Sequence, residues 1–183
     1  RRVLFRSDMG EAAENVARQY GITRSRQDAF ALRSHKKAVA AQKSGRFADE
    51  IVPLIGAEGA LTMDECPRAD TSLEKLAALA PVFAKDGTVT AGNACPINDG
   101  AAAVALVSYA RYREMGLSDG LWVVDSAVAG VDPNFLGIGP VPAVRKLLKR
   151  AKANMADVDV VEFNEAFAAQ VLACLDQLDV MED

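Results

Sequence analysis

The chain has 183 residues, of which 50% are hydrophobic and 25% are charged, and its formal net charge is −4. This composition excludes an intrinsically disordered chain, and the acidic balance argues against nucleic acid as a partner. No apolar run approaches the roughly 18 residues that a membrane helix needs, and the N-terminus lacks the pattern of a secretory signal. We therefore expect a globular protein with no membrane partner and a cytoplasmic location.

The cysteine and histidine pattern argues against a metal site and against disulfides. Cys66, Cys95 and Cys174 are widely spaced without a CxxC motif, and His35 is the only histidine. A structural zinc site needs four ligands at characteristic spacings, and a disulfide framework needs paired cysteines. His35 lies in the charged stretch RSHKKA, where we expect a solvated surface histidine.

Both ends of the chain have unusual sequences. The first seven residues, RRVLFRS, back-translate to the end of a common sequencing adapter, and we interpret them as a scar rather than as part of the fold. We expect natural coding sequence to differ upstream of Asp8. The last residues, DQLDVMED, form no closing element, so both ends are expected to be cut.

The N-terminal half predicts two helices and then a loop-rich region. Residues 9–20, MGEAAENVARQY, and residues 26–44 are rich in helix formers, with Thr23 or Ser25 as the cap of the second helix. Residues 50–55, EIVPLI, predict a short edge strand. One further helical piece, TSLEKLAAL, interrupts the polar residues that follow.

The C-terminal half predicts alternating strands and helices. GTVTAGNAC is a brief strand, and Asp99 is the predicted cap of a helix that ends at Gly116. The predicted strands 121–131 and 158–163 are each followed by a helix; these helices begin near Pro142 and after Asn164. Strands and helices that alternate through short connections predict an α/β sheet with parallel neighbours.

The glycine-rich turn GIGP at residues 137–140 has two interpretations. It lacks the third glycine of a dinucleotide fingerprint and the Lys-Ser/Thr pair of a phosphate loop. It is either a tight loop that leads to a helix or a loop that lies against a substrate, because glycine lets the backbone approach a ligand closely.

Asn164 and Glu165 follow a predicted strand, at the edge of the sheet where open α/β sheets bind ligands. The Asn164 amide can donate to an oxygen or hold a water, and Glu165 can cap the next helix or orient a neighbour. Taken alone, the pair is explained equally well by capping and by catalysis.

Four motifs in order carry a more specific signal: MGEAAENVA, TVTAGNACPINDGAAA, AGVDPNFLGIGPVPAVRKLL and VDVVEFNEAFAAQ. In sequence, order and spacing they resemble the thiolase family, the acetyl-CoA acetyltransferases and 3-ketoacyl-CoA thiolases. The resemblance extends from Asp8 to the end of the chain.

The resemblance implies an α/β thiolase fold, layered αβαβα with two similar halves, of which this chain holds a partial copy. Residues 8–97 are expected to form part of the loop domain that covers CoA. Residues 98–118 would return to the N-terminal half, and residues 119–183 would begin the C-terminal half. Strands 121–129 and 158–162 would then lack neighbours, so we expect the isolated chain to aggregate.

The implied activity is cleavage of a 3-ketoacyl-CoA by CoA, or condensation of two acyl-CoA units, through a cysteine acyl-enzyme. Coenzyme A is a substrate, and no metal or redox cofactor is implied. The family's place in fatty acid metabolism and β-oxidation comes with the resemblance, as does assembly of the full-length protein into homodimers or homotetramers.

The resemblance also implies residue roles. Asn164 would hold a water that stabilises an enolate oxygen, and Glu165 would support the catalytic histidine. Cys95 replaces a serine that contacts pantetheine, so this contact is expected to weaken by about 1 kcal/mol or to be replaced by packing. Cys95 follows the wrong motif for the nucleophile. The positions implied to line the substrate and CoA path are Met9, Arg68, Phe83, Ala91, Ala94, Cys95, Leu136, Ala166 and Phe167.

Other features leave the function partly open. Asp8 replaces a histidine common in biosynthetic members, so the acyl preference is undetermined. The family's nucleophilic cysteine would precede residue 8, and its GHP histidine and CxGGG cysteine would follow residue 183, so this chain alone is expected to be inactive. A non-catalytic CoA-ester or lipid-binding protein is the alternative, and a subunit of a multienzyme complex is a third possibility.

Overall fold

The computed structural model of the protein describes residues 8–57 and 59–182, so the predicted scar over residues 1–7 lies outside the described part and stays a prediction. In chain order the elements are α1 (Met9–Gln19), α2 (Arg24–Lys43), β1 (Leu54–Gly56), β2 (Gly59–Leu61), α3 (Leu73–Ala77), α4 (Tyr109–Glu114), a 3₁₀ helix (Pro133–Ile138), α5 (Pro140–Ala151), a second 3₁₀ helix (Met155–Asp157) and α6 (Ala168–Leu178).

The first two helices begin where local capping signals place them. The Asp8 carboxylate accepts a hydrogen bond from the Gly10 N–H at 3.2 Å, and the Glu11 carboxylate accepts one from the Asp8 N–H at 3.3 Å. Thr23, and not Ser25, caps α2. Its hydroxyl oxygen accepts a hydrogen bond from the backbone N–H of the third residue of the helix, at 3.3 Å. The two predicted helices are therefore confirmed, because a cap satisfies donors that the helix itself leaves unpaired.

Helix α6 is the centre of the hydrophobic core. Nine of its 11 residues are buried, and it contacts α1, α2, α5 and the first 3₁₀ helix. A helix that is apolar on nearly every side must be covered by neighbours on every side. The main core cluster consists of Val16, Ile22, Phe30, Ala168, Val171, Leu172, Ala173 and Leu175.

A charged contact attaches α2 to the far end of α6. Arg26 donates to both carboxylate oxygens of Asp176, at 2.7 Å each, and to Glu182 at 2.6 Å. The hydrogen bonds from Arg26 hold the pKa of Asp176 below its usual value. This bidentate pair is partly exposed, so it fixes the orientation of the two helices more than it adds stability.

Only part of the predicted strand 50–55 forms. Leu54 pairs with Leu61 and Gly56 with Gly59 in a short antiparallel hairpin, and the residues of its two strands are exposed. The proline at residue 53 has no backbone N–H to donate, which is consistent with pairing that begins only after it.

The predicted helix between Asp99 and Gly116 is largely wrong. Only Tyr109–Glu114 is helical, and Ser108 is its cap. Residues 99–108 are exposed throughout and form no helix. Short helices gain most of their stability from a packed face, and alanine-rich residues without a partner surface have no such gain.

The predicted strands 87–95, 121–131 and 158–163 form no ladder within the described residues, so the expected parallel sheet is not seen there. A strand exists only when a neighbour pairs with its backbone groups, and the described residues supply none to the last two segments. Their apolar side chains stay exposed: Val124 is 83% and Val160 is 78% accessible.

The core position of Cys174 predicts slow thiol chemistry. Cys174 is fully buried, burial raises the pKa of its thiol to about 11, and Cys66 and Cys95 are exposed. In the folded 183-residue chain at pH 8, Cys174 should react with a thiol reagent at least about tenfold more slowly than the other two. A Cys174→Ala variant should lose only the slow phase, and three thiols that react at one rate would contradict this packing.

Candidate functional site

The TAGNAC loop, residues 90–95, lies directly against the segment NEAF, residues 164–167. The Cys95 N–H donates to the Ala166 carbonyl at 3.0 Å, and Ala94 and Phe167 form an isolated antiparallel bridge. The Asn93 carbonyl accepts from the Ala168 N–H at 2.9 Å, at the first residue of α6. Two of the four motifs therefore meet in space, and the TAGNAC loop caps the helix that follows NEAF.

This arrangement excludes one of the two interpretations of the Asn-Glu pair. Helix α6 begins at Ala168, its N-cap is Phe167, and no side chain caps it. Asn164 and Glu165 lie before that cap, so capping by either side chain is wrong. The backbone carbonyl of Asn93 satisfies the helix start instead.

Asn93 is the centre of the loop, a role not expected from the sequence, where GTVTAGNAC is predicted as a brief strand. Asn93 is 4% exposed; its Oδ1 accepts from the Thr90 N–H at 2.8 Å. Its Nδ2 donates to Asp28 at 3.0 Å and to the Thr88 carbonyl at 3.0 Å. The only available signal was the asparagine itself, because its amide can pair with several backbone groups in a turn.

Two buried carboxylates from the first helices hold the loop. Asp28 is paired with Arg24 at 2.8 Å, and Arg24 also donates to the Leu76 carbonyl at 2.7 Å. Glu14 is 5% exposed and accepts from the backbone N–H groups of Thr88 and Val89, at 2.9 Å each. A charged acceptor contributes about 1.5–3 kcal/mol per hydrogen bond, so α1 and α2 position the loop strongly.

A cavity of about 610 Å³ opens beside this loop–helix junction. This volume is in the range of small-molecule sites. Among its described lining residues only Glu162, Asn164 and Gln170 have polar side chains. Of the positions predicted from the resemblance, the cavity brings together Met9, Leu136, Asn164, Ala166 and Phe167.

Phe83 supports the wall of the larger cavity from behind. Its ring meets the Phe167 ring edge-on, with centroids 6.3 Å apart. It also lies against Gly10, where an added Cβ would be 2.2 Å from the Phe83 ring. Only glycine fits at residue 10, because this close approach places Phe83 between α1 and the NEAF segment.

A second cavity, of about 210 Å³, lies where the TAGNAC loop meets α2. Ala94, Cys95 and Glu165 line it, so consecutive residues Asn164 and Glu165 face different cavities. The Ser34 hydroxyl donates to Glu165 at 2.5 Å.

His35 also lines this smaller cavity, which corrects the expectation of a solvated surface histidine. It is half-buried, and its Nδ1 accepts from the Arg68 N–H at 3.2 Å. Burial lowers the pKa of His35, the positive charge of Arg68 lowers it further, and Glu165 opposes both. The neutral imidazole is therefore favoured, with its proton on Nε2.

Three predicted positions line neither cavity: Phe83, which packs against Phe167, and Arg68 and Ala91. Arg68 is exposed and reaches the smaller cavity only through its backbone contact with His35, and Ala91 is exposed and lines neither cavity. Asp8, which replaces a histidine of other family members, has its carboxylate occupied as the cap of α1.

The described residues contain neither a metal-binding cluster nor a membrane-spanning helix. No group of three or more histidine, cysteine or acidic side chains among them is arranged to hold a metal ion. Over the same ranges, none of the helices combines the length and the apolar character needed to cross a bilayer.

Comparison with known proteins gives consistent matches over the whole chain. The family model for the N-terminal domain of thiolase matches residues 2–110, and the model for the C-terminal domain of thiolase matches residues 121–183. Beta-ketoadipyl-CoA thiolase from Pseudomonas aeruginosa is 51% identical over 179 residues, covering 96% of this chain and 45% of its own. Acetyl-CoA acetyltransferase from Cupriavidus necator is 49% identical over 175 residues, covering 93% of this chain and 44% of its own.

A solved structure shows that the fold is shared as well. The crystal structure of the Bacillus anthracis acetyl-CoA acetyltransferase superposes with a TM-score of 0.92 at 48% identity, covering 97% of this chain and 46% of that one. The chain thus spans slightly under half the length of the relatives it matches. The chain path is that of a partial thiolase fold, although the sheet ladder is not formed within the described residues.

The surroundings of His35 in the smaller cavity predict the pKa of this histidine. In the 183-residue chain, the imidazole proton resonance of His35 should titrate below the usual pKa of 6.5. Glu165→Gln should lower this pKa further, and Arg68→Ala should raise it, because each variant removes one charge. Because the folded-state pKa is depressed, the free energy of unfolding should fall as the pH drops below 6.5, and His35→Gln should remove that loss. A pKa at or above 6.5 would contradict the described packing.

Proposed function

Because the chain belongs to the thiolase family, we propose that a full-length protein carrying this segment transfers acyl groups between CoA thioesters. The observation that carries this proposal is the position of Asn164. It lies on the wall of an otherwise largely apolar 610 Å³ cavity, and the TAGNAC loop holds the neighbouring NEAF backbone. The chemistry needs a fixed polar group inside an apolar acyl site.

The reaction that this site serves is thiolysis of a 3-ketoacyl-CoA, and its reverse. A cysteine thiolate adds to the 3-keto carbon, and the bond between carbons 2 and 3 breaks. The electron pair leaves as the enolate of acetyl-CoA, which takes a proton. The thiolate of CoA then attacks the acyl-cysteine thioester and releases acyl-CoA, so the cysteine is regenerated and no redox or metal cofactor is required.

In this proposal Asn164 serves the enolate step. Its amide N–H, directly or through one water, faces the oxygen on which negative charge develops. Its environment suits that role: the apolar side chains of Met9, Leu136 and Phe167 line the same cavity. Glu165, which accepts from Ser34 at 2.5 Å, would orient a histidine contributed by another part of the full-length protein.

The nucleophile of this proposal is not one of the three cysteines of this chain. Cys174 is buried with a raised pKa. Cys66 and Cys95 share the smaller cavity with His35, but the His35 Nδ1 is occupied by the Arg68 N–H. Cys95 instead forms the wall of a cleft, where it would contact the pantetheine chain of CoA.

The substrates in this proposal are acyl-CoA and CoA, as the names of the relatives suggest. A beta-ketoadipyl-CoA thiolase is 51% identical and an acetyl-CoA acetyltransferase is 49% identical, so identity does not separate a dicarboxylic from a short-chain acyl group. A homodimer or homotetramer, a cytoplasmic location and a role in β-oxidation belong to the same proposal. No relative named here is a non-catalytic binding protein.

Removal of the Asn164 amide tests the proposed role directly. In a full-length protein carrying this segment, Asn164→Ala should lower kcat for acetoacetyl-CoA thiolysis by about 10²–10³, the usual cost of one lost oxyanion donor. Steady-state kinetics with varied CoA measures it. Asn154→Ala is the matched control, because Asn154 is an exposed asparagine outside both cavities. An unchanged kcat in Asn164→Ala would remove the basis of the proposal.

A conservative change at Cys95 tests whether this residue is the nucleophile or only a contact for CoA. Cys95→Ser should keep kcat and lower the KM for CoA by about fivefold, because a hydroxyl is a better hydrogen-bond partner than a thiol by about 1 kcal/mol. Thiolysis kinetics and covalent trapping of the acyl-enzyme measure the two effects. Loss of turnover and of the trapped acyl group in Cys95→Ser would instead identify Cys95 as the nucleophile.

A further inference from the structure

Ser34 of α2 holds the side chain of Glu165. Its hydroxyl donates to one carboxylate oxygen, Oε2, at 2.5 Å, which is the length of a charge-assisted hydrogen bond. Within the described part of the chain, this is the hydrogen bond that the Glu165 carboxylate forms, and its second oxygen, Oε1, has no protein partner there. The contact with Ser34 therefore sets the direction of the carboxylate and leaves one oxygen available.

The backbone beside Glu165 is fixed separately from its side chain. The Ala166 N–H donates to the Asn164 carbonyl at 3.0 Å, and the Ala166 carbonyl accepts from the Cys95 N–H at 3.0 Å. These bonds place residue 165 but leave the torsions of its exposed side chain free. A long carboxylate side chain in solvent samples several rotamers unless a partner selects one, and Ser34 is that partner.

Ser34 lies on a helix that is anchored to the same junction. The residues of α2 that face the smaller cavity include a set with helical spacing: Ala31, Ser34, His35 and Ala38. Earlier in the helix, the buried Asp28 accepts from the Asn93 amide of the TAGNAC loop at 3.0 Å. A donor on an anchored helix keeps its position better than a donor on a loop, so Ser34 can hold a precise geometry.

His35, the other polar residue in this set, does not take the place of Ser34. Its Nδ1 accepts from the Arg68 N–H at 3.2 Å, so this nitrogen is already paired. The contact between α2 and Glu165 is the one that the Ser34 hydroxyl makes.

We propose that Ser34 is a positioning residue for acyl transfer and acts through Glu165. Because the hydroxyl occupies Oε2, Oε1 is left to accept the ring N–H of the histidine that a full-length protein would contribute. A fixed carboxylate selects one tautomer and one ring orientation of such a histidine. This inference rests on the proposed function, in which Glu165 orients that histidine.

The test is a double-mutant cycle in a full-length protein carrying this segment, with Ser34→Ala, Glu165→Ala and the double variant. Ser34→Ala should lower kcat for acetoacetyl-CoA thiolysis about tenfold and leave the KM for CoA within about twofold, because orientation is lost while binding is kept. Glu165→Ala lacks the carboxylate, so adding Ser34→Ala to it should change kcat by less than about twofold. Steady-state kinetics of the four proteins measure the cycle.

Two further variants control for the loss of a hydroxyl group in general. Ser34→Thr keeps the donor and should retain kcat within about threefold of wild type. Ser25→Ala removes an exposed hydroxyl from the same helix outside both cavities, and it should leave kcat unchanged. If Ser34→Ala lowers kcat by the same factor with and without the Glu165 carboxylate, the inference is overturned while the proposed function stands. If the wild type performs no thiolysis, the proposed function fails and the inference falls with it.

The contact itself is tested without any activity, by the pKa of His35 in the 183-residue chain. The negative charge of Glu165 raises this pKa, whereas burial and Arg68 lower it, and the cavity thiols of Cys66 and Cys95 are the same in every variant. Ser34→Ala releases the carboxylate into solvent, so the His35 pKa should fall toward its value in Glu165→Ala, and Ser25→Ala should not change it. NMR titration of the imidazole measures this. A His35 pKa that does not fall in Ser34→Ala would overturn the inference, whatever the kinetics show.

Discussion

The hydrogen bonding of Asn93 holds the candidate site together. One asparagine joins three parts of the chain that are far apart in sequence: its amide binds Asp28 of α2 and the Thr88 carbonyl, and its own carbonyl caps α6 at Ala168. Each of these groups is at least partly buried, so the loss of any partner would leave a desolvated donor or acceptor. Because buried polar networks are stable only when they are fully paired, this one specifies a single position for the TAGNAC loop relative to the central helix.

The junction of the TAGNAC loop and the NEAF segment lies between two cavities of different chemistry. The loop and the NEAF segment pair through their backbones, and the side chains of the NEAF segment divide between the two sides. Asn164 faces the larger, largely apolar cavity, and Glu165 faces the smaller one with His35. The Ala166 N–H donates to the Asn164 carbonyl at 3.0 Å and closes a tight turn at Glu165, so one dipeptide places its amide and its carboxylate in different cavities.

Two regions of the structure differ in how well their apolar side chains are buried. Around α6 the helices bury a continuous core, whereas residues 121–131 and 158–163 keep apolar side chains such as Val124 and Val160 exposed. The chain path still superposes on a thiolase at a TM-score of 0.92. A helix satisfies its own backbone groups, but a strand depends on a neighbour, so helices can form in a chain that spans under half the length of its relatives while the sheet cannot.

The sequence by itself determined the family and the helices α1, α2, α5 and α6, because these depend on local caps, periodicity and the four motifs. It did not determine the structure of residues 99–108, where the predicted helix does not form. It also did not determine the strands or the environment of His35, since all of these depend on what packs beside them. Only the tertiary structure showed that Asn93 caps α6 and that Glu14 accepts from the backbone N–H groups of Thr88 and Val89. Both facts concern partners distant in the chain, and hydrogen-bond pairing at a distance leaves no periodic trace in the sequence.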